Sequence, residues 1–150
     1  MKLKIPPVVI FFISLGMLFG LYYLIPELAY SFLYQRPISR IFLIGGALCA
    51  LMGIVAFRTK STTVDPLNPN KASSLVTHGI YQYSRNPMYV GMAMVLLGGV
   101  IRIGSPLGIL AVLFFVWYLT QFQIKPEEET LRILFKEEYE NYCQKVRRWI

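Results

Sequence analysis

Residues 75–91, LVTHGIYQYSRNPMYVG, place polar and aromatic side chains at the boundary between a polar connection and an apolar segment. Most of these polar groups are costly within lipid unless they bind something. A second polar cluster follows the next apolar segment and contains Lys125, Glu127, Glu128 and Glu129. If the apolar segments cross a membrane, both clusters lie at the same face and can line one site. This pairing predicts an enzyme.

The composition is typical of a membrane protein. Of the 150 residues, 55% are hydrophobic and 15% are charged, and the mean hydropathy is +0.51. The formal net charge is +7, but the basic residues are dispersed between apolar segments. Nucleic-acid binding requires them to be gathered on one face or tail. The composition therefore predicts a single membrane domain that does not bind nucleic acid.

Four apolar segments approach the roughly 20 residues that a helix needs to cross a hydrocarbon core. They cover residues 7–25, 38–57, 88–103 and 106–124. Pro126 and the following acidic residues suit the first turn of a further helix. Apolar side chains then recur at spacings of three and four, at Leu131, Phe135, Tyr139, Tyr142, Val146 and Trp149. We predict an all-α integral membrane protein with about four transmembrane helices and a C-terminal amphipathic helix over about 126–148.

The distribution of lysine and arginine predicts how the chain is oriented. Twelve of the 15 basic residues fall on the side of the two termini, and three fall on the other side, at Arg36, Arg40 and Arg102. Cytoplasmic flanks of spanning helices carry such an excess. Both termini and the amphipathic helix are therefore expected in the cytoplasm. The first apolar segment lacks an obvious small-residue cleavage site, so we interpret it as a retained helix.

The remaining features predict packing and connection. Residues 59–74 are rich in Ser, Thr, Asn and Pro and predict a loop with tight turns at Asp65, Pro66, Asn68 and Pro69. The predicted topology separates Cys49 from Cys143, which argues against a disulfide, and a single histidine argues against a metal site.

Small residues in the second and third spans predict close helix packing, at Gly46, Ala50, Gly53, Gly91, Gly98 and Gly99.

The order of the motifs resembles that of a known superfamily. LVTHG is followed by Tyr, by Ser-Arg-Asn-Pro-Met-Tyr, by a span, by Glu-Glu and by a helix containing Tyr-Glu-Asn-Tyr. This order, over about residues 73–150, is similar to that of the isoprenylcysteine carboxyl methyltransferase and phospholipid methyltransferase superfamily. The resemblance implies a small membrane enzyme that binds S-adenosyl-L-methionine and methylates a lipid-like acceptor arriving through the bilayer.

The resemblance also implies roles for individual residues. Two segments look like those that contact the cofactor, namely Leu75, Val76, His78, Gly79 and Tyr81, and then Asn86, Pro87, Met88 and Tyr89. Glu127 looks like the cofactor-binding glutamate, and Arg85 and Glu128 are the candidate catalytic residues, which support the site or address the acceptor. Glycine at position 79 would let the backbone approach a ligand closely.

Two positions depart from the superfamily's pattern. Asn86 stands where many members have histidine, which removes any acid or base function there. Gln123 stands where the prenylcysteine enzymes have an arginine that pairs with the substrate carboxylate. Gln123 is therefore the candidate substrate residue, and a bidentate carboxylate clamp is missing unless Lys125 substitutes, although lysine is not an equivalent fork. If the acceptor is an amine or a thiol, Glu128 is the candidate for removing its proton.

Two other classes of protein stay open. Sterol reductases resemble the superfamily in their C-terminal half and bind a nicotinamide cofactor, but residues 84–89 fit their Arg-His-x-Asn-Tyr pattern less well. Thermal stabilisation by NADPH but not by S-adenosylhomocysteine would favour a reductase. A non-catalytic membrane scaffold is the other alternative, and it would tolerate Arg85→Ala and Glu127→Ala.

Overall fold

The structure, a computed structural model, describes residues 5–59 and 75–150. These residues contain five α-helices: α1 (Pro7–Leu24), α2 (Gln35–Thr59), α3 (Pro87–Ile103), α4 (Ile109–Leu119) and α5 (Lys125–Lys145). Short 3-10 helices lie at Pro26–Leu28, Gly79–Gln82 and Pro106–Gly108, and a π-helical turn, Thr120–Ile124, joins α4 to α5. No strand occurs in these two ranges, and the predicted all-α class is confirmed.

Three helical stretches within the described ranges are long and apolar enough to cross a membrane, at Pro7–Leu24, Gln35–Ala56 and within Pro106–Lys145. The third predicted span, α3, has 17 residues, which is roughly 26 Å at 1.5 Å per residue. Large apolar side chains on α1, α2 and α4 are exposed, among them Phe12, Ile13, Ile41, Ile44, Leu48, Leu51, Leu113 and Trp117. Such extensive apolar surface indicates contact with lipid, as expected for an integral membrane protein.

Helices α2 and α3 pack as antiparallel neighbours along their whole length. Near one end, the Gln35 side chain donates through Nε2 to the carbonyl oxygens of Ile101 at 2.9 Å and Arg102 at 3.1 Å. Further along, Ser39 Oγ donates to the Gly98 carbonyl at 3.0 Å. These bonds join the start of α2 to the end of α3.

Glycines allow the backbones of α2 and α3 to approach this closely. A Cβ atom on Gly91 would lie 2.5 Å from the carbonyl oxygen of Gly46 and 2.6 Å from the nitrogen of Ala50. A Cβ on Gly53 would lie 2.6 Å from the side chain of Met88. The predicted close packing is confirmed for Gly46, Ala50, Gly53, Gly91 and Gly98, whereas Gly99 faces Leu18 of α1.

A second packing surface joins α1, α3 and α4, so α3 lies at the centre of the fold. Its buried side chains are Ile10, Leu18, Tyr89, Leu96, Val100, Ala111, Val112, Phe115, Leu119 and Ile124. Tyr89 stands in the first turn of α3, and Ile124 ends the π-helical turn. This packing therefore brings the starts of α3 and α5 to the same end of the bundle.

The amphipathic helix differs in three respects from the uninterrupted helix predicted over 126–148. It continues α4 without a loop, because the π-helical turn accommodates Pro126, whose ring would clash with the Phe122 carbonyl in a regular α-helix. It also ends earlier, at Lys145, and is kinked at Lys136, where φ is +43°. The stripe side chains beyond the kink, Tyr139, Tyr142 and Val146, are buried against Leu75.

Some predictions concern residues outside the described ranges. The predicted loop lies there, apart from Thr59, at which α2 ends. Four of the lysines used to predict orientation also lie there, namely Lys2, Lys4, Lys60 and Lys71. The orientation of the chain in the membrane therefore stays a prediction. Cys49 and Cys143 are both free thiols, in α2 and α5.

We predict that Gly91→Ala destabilises the protein, because the new methyl group meets the α2 backbone at 2.5–2.6 Å. The expected loss is about 1–3 kcal/mol, and thermal unfolding in detergent measures it. Gly20→Ala is the matched control, since a Cβ there has no neighbour within 4 Å. Equal melting temperatures for the two variants would contradict the packing described here.

Candidate functional site

The first polar cluster lies on the short segment that precedes α3. Gly79 begins its 3-10 helix with φ +61°, a conformation that glycine adopts readily, and its Cα is open, with nothing within 4 Å of an added Cβ. Tyr81 is buried with Ala56 and Val76. The hydroxyl of Tyr142 donates to the Tyr81 carbonyl at 2.7 Å. The segment is thus held between α2 and α5.

His78 has an unsatisfied polar atom in this segment. Its side chain is half-buried, and Nδ1 is buried without a hydrogen-bond partner among the described residues. Buried polar atoms in native structures usually have a partner, and an unpaired one calls for an explanation. A ligand that binds beside Gly79 would supply a partner for this nitrogen.

The two clusters meet at Tyr89 and Glu127, as the sequence predicts. Tyr89, in the first turn of α3, donates its hydroxyl hydrogen bond to Glu127 Oε1 at 3.0 Å. Gln123 Nε2 donates to the same oxygen. Gln123 lies one helical turn before Glu127 and is only 2% exposed. The three side chains form a single hydrogen-bonded group that joins α3 to the start of α5.

The carboxyl group of Glu127 has a raised pKa. It lies beyond Ile124, where the apolar part of the fourth span ends. Burial raises the pKa of its carboxyl group to about 7, against a smaller opposing effect of the hydrogen bonds from Gln123 and Tyr89; the charge of Glu128 adds to the increase. No ion pair involving Glu127 occurs in the described ranges. A cationic ligand would therefore find an uncompensated carboxylate here.

The neighbouring carboxylate, Glu128, is buried and fully engaged in ion pairs. Arg85 Nη2 lies 3.1 Å from Oε1. Arg148 donates through Nε to Oε1 at 3.0 Å and through Nη2 to Oε2 at 2.6 Å. The hydrogen bonds to Glu128 raise the pKa of the Arg148 guanidinium above its ordinary value. The two candidate catalytic residues, Arg85 and Glu128, are thus in direct contact.

Arg85 has two further polar features. Its Nη1 donates to the Sγ atom of Cys143. Its Nε is buried and has no hydrogen-bond partner in the part of the chain that the structure describes. The guanidinium group therefore retains one buried donor that a ligand can use.

Asn86 and its neighbours bind the residues that follow α5. Asn86 Nδ2 donates to the Arg148 carbonyl at 2.9 Å, and the Arg85 backbone N–H donates to the Arg147 carbonyl at 3.0 Å. The Asn86 side chain therefore makes a hydrogen bond within the protein that does not depend on a ligand. Pro87 is buried as the first residue of α3, and Met88 packs against Gly53.

The predicted site residues therefore divide into groups. Tyr89, Gln123 and Glu127 share one hydrogen-bonded group, and Arg85 and Glu128 share one ion-paired group. The other predicted residues surround these groups or pack beside them: Leu75 against α5, Val76 and Tyr81 against α2, and His78, Gly79, Asn86, Pro87 and Met88 along the segment that leads into α3.

Arg148 was not a predicted site residue and entered the predictions only as a basic residue of the cytoplasmic side. Trp149 also had no predicted partner, although its Nε1 donates to Thr120 Oγ1 at 3.1 Å. The sequence offers one weak signal, because Arg148 directly precedes Trp149, the last residue of the apolar stripe. A cation in that position needs an anionic partner or access to water.

An open cavity of about 470 Å³ lies beside the Gly79 segment. Its lining residues are Thr77, Gln82, Glu138, Asn141, Tyr142, Lys145 and Val146. Its volume is within the range of small-molecule sites. None of these residues was a predicted site residue, although Thr77 and Gln82 flank the first predicted cofactor segment.

Comparison with known proteins identifies relatives. The phospholipid methyltransferase family matches residues 34–138. A probable protein-S-isoprenylcysteine O-methyltransferase of Oryza sativa subsp. indica is 29% identical over 123 residues, which are 82% of this chain and 64% of the relative. The protein-S-isoprenylcysteine O-methyltransferase of Schizosaccharomyces pombe is 38% identical over 77 residues, covering 51% of this chain and 33% of the relative.

A shorter relative matches over its full length. An uncharacterized protein of Haemophilus influenzae is 41% identical over 63 residues, which are 42% of this chain and 100% of the relative. This chain spans slightly less than two thirds of the length of the rice relative. No solved structure matches this chain significantly.

The family match covers well over half of the chain. It extends from just before α2 into α5 and includes both polar clusters, with the Tyr89–Glu127 contact and the Arg85–Glu128 ion pair. The regions that carry the relationship are therefore those that the fold brings together at one end of the bundle. The chain belongs to the phospholipid methyltransferase family.

Proposed function

We propose that this chain is an S-adenosylmethionine-dependent methyltransferase that acts on a lipophilic acceptor delivered from the membrane. The observation that carries the proposal is the contact between Tyr89 and Glu127 at 3.0 Å, which unites the two motif clusters around a half-buried carboxyl group. Family membership and the relatives named as isoprenylcysteine O-methyltransferases support methyl transfer to a lipophilic group.

The side chains around this contact fit the chemistry of the cofactor. S-adenosylmethionine has a cationic ammonium and sulfonium, an anionic carboxylate and hydroxyl groups. Glu127 would hold a cationic group, and the aromatic ring of Tyr89 would favour the sulfonium. The buried Nε of Arg85 and Nδ1 of His78, which have no described partner, would bind anionic or hydroxyl groups. Gly79 would let the backbone approach the ligand.

In this proposal the bound cofactor supplies the methyl group, and the protein supplies orientation. Transfer from a sulfonium is an in-line displacement that depends on near-attack geometry and on exclusion of water. The buried apolar residues below Tyr89, such as Leu119 and Ile124, would provide the dry wall of the site. Glu128 has guanidinium donors at both oxygens, so its proposed role is to position Arg85.

The acceptor class is constrained by Gln123. Its amide is neutral, buried and directed to Glu127. It offers no positive charge to a carboxylate acceptor, so the proposal favours an uncharged or amine-bearing lipophilic molecule. We place the site at the cytoplasmic face, in line with the excess of basic residues on that side.

We predict that Glu127→Ala abolishes measurable S-adenosylmethionine binding. Removing a partly buried charge partner should reduce the affinity at least roughly 30-fold, or about 2 kcal/mol. Titration calorimetry of the purified protein measures the loss. Glu129→Ala is the matched control, because Glu129 is an exposed carboxylate two residues away. Unchanged affinity in Glu127→Ala would refute the assignment, and stabilisation by NADPH instead would favour a reductase.

We predict that affinity for S-adenosylhomocysteine, which keeps the ammonium group, rises as pH increases from 6 to 8. The carboxyl pKa of about 7 means that Glu127 is mostly protonated at pH 6 and mostly ionised at pH 8. If only the ionised form binds the ammonium, the dissociation constant should fall about tenfold over this interval.

The matched variant for the pH measurement is Glu127→Gln. It keeps the size of the side chain and removes its titration, so affinity should be low and independent of pH. The other charged or titratable groups that influence Glu127 are Glu128, which Arg85 and Arg148 hold in ion pairs, and the Tyr89 hydroxyl. The same pH slope in Glu127→Gln would assign the titration to another group.

Methyl transfer itself can be tested with radiolabelled S-adenosylmethionine and a total lipid extract. The purified protein should transfer label to a product that partitions into organic solvent, and chemical identification of that product would name the acceptor. Glu127→Ala should transfer none, whereas Glu129→Ala should match the unsubstituted protein. Cofactor binding without any labelled product would contradict the proposed acceptor class.

A further inference from the structure

The segment that follows α5, Val146–Trp149, bonds to both motif clusters. At the start of α3, the Arg148 carbonyl accepts hydrogen bonds from Asn86 Nδ2 at 2.9 Å and from Ser84 Oγ at 3.5 Å. At the start of α5, the Arg148 guanidinium makes two bonds to Glu128. One residue therefore links the two clusters, through its backbone on one side and its side chain on the other.

The residues on each side of Arg148 hold the segment in place. The Arg147 carbonyl accepts a hydrogen bond from the Arg85 backbone N–H at 3.0 Å. Trp149 packs on the core between α1, α3 and α4, and its indole donates to Thr120 in the π-helical turn at 3.1 Å. Val146 is buried beside Leu75. The segment thus contacts the residues that precede α3, the π-helical turn and the start of α5.

The Arg148–Glu128 pair differs from an ordinary surface ion pair. Its bidentate geometry fixes the planes of both groups, and Glu128 is only 6% exposed. By contrast, Arg132 and Glu140 on α5 form a pair at 2.9 Å whose side chains are each 52% exposed. Exposed pairs of this kind contribute little to stability. Arg132 therefore provides a matched control for Arg148.

We propose that Arg148 is a positioning residue that fixes the distance between Tyr89 and Glu127 by tying Glu128 to the segment Ser84–Asn86. Glu128 adjoins Glu127 in α5, and Asn86 precedes Tyr89 by three residues at the start of α3. Without the guanidinium, the carboxylate of Glu128 loses two of its bonds and keeps only the contact with Arg85, so the start of α5 is held less firmly to that of α3. The inference rests on the proposed function, because the consequence it predicts is weaker cofactor binding.

The experiment measures S-adenosylhomocysteine affinity by titration calorimetry on the folded fraction of four proteins: the unsubstituted chain, Arg148→Gln, Arg148→Lys and Arg132→Gln. Arg148→Gln should weaken binding about tenfold, the scale seen for outer residues that orient a metal ligand. Arg148→Lys keeps the charge but not the bidentate fork, so its loss should be smaller. Arg132→Gln should bind within about twofold of the unsubstituted chain.

If Arg148 only stabilises the fold, Arg148→Gln should have a lower melting temperature but an unchanged affinity for S-adenosylhomocysteine in its folded fraction. That result would overturn the inference. If Arg148→Gln does not fold, Arg148→Lys decides: weaker binding supports the inference, and unchanged binding overturns it. If the unsubstituted chain binds no S-adenosylhomocysteine, the proposed function fails and this inference fails with it. Intact binding with no effect of Arg148 overturns this inference alone.

Discussion

Burial of the Glu128 carboxylate between two guanidinium groups is the interaction on which the proposed site depends. Removing a charge from water costs several kcal/mol, so the buried state is stable only when oppositely charged partners are correctly placed. The partners come from distant parts of the chain, Arg85 before α3 and Arg148 after α5. The requirement for charge compensation therefore also specifies how these helices meet, in a protein whose remaining contacts are largely apolar and less directional.

Two adjacent glutamates have different environments as a result. Glu128 has its negative charge balanced within the protein, whereas Glu127 receives only the neutral donors Tyr89 and Gln123 among the described residues. Burial without a cation raises the carboxyl pKa of Glu127 to about 7. The two carboxylates therefore differ in charge compensation, as in other sites where neighbouring carboxylates have different environments, and the proposed function assigns the cationic ligand to Glu127.

Hydropathy and spacing were sufficient to predict the helices, because long apolar segments and small-residue faces are local patterns. The first span was predicted over 7–25 and lies at Pro7–Leu24. The meeting of the two polar clusters at one end of the bundle followed from placing both motifs at one membrane face, whereas the hydrogen bond between Tyr89 and Glu127 was not predicted. Two features were not predictable in this way. The π-helical turn before Pro126 depends on a shift in backbone hydrogen bonding. The contact of Arg148 depends on Glu128, a partner 20 residues away that the periodicity of the sequence does not indicate.

The length of α3 has a consequence for the surrounding lipid. At roughly 26 Å, this helix is shorter than an average hydrocarbon core of roughly 30 Å. Such a mismatch is relieved by local thinning of the bilayer or by recession of the helix end below the headgroups. If α3 crosses the bilayer as predicted, Tyr89 stands at the affected end, and acyl-chain length and sterol content would set how far a water-soluble molecule must travel to reach it.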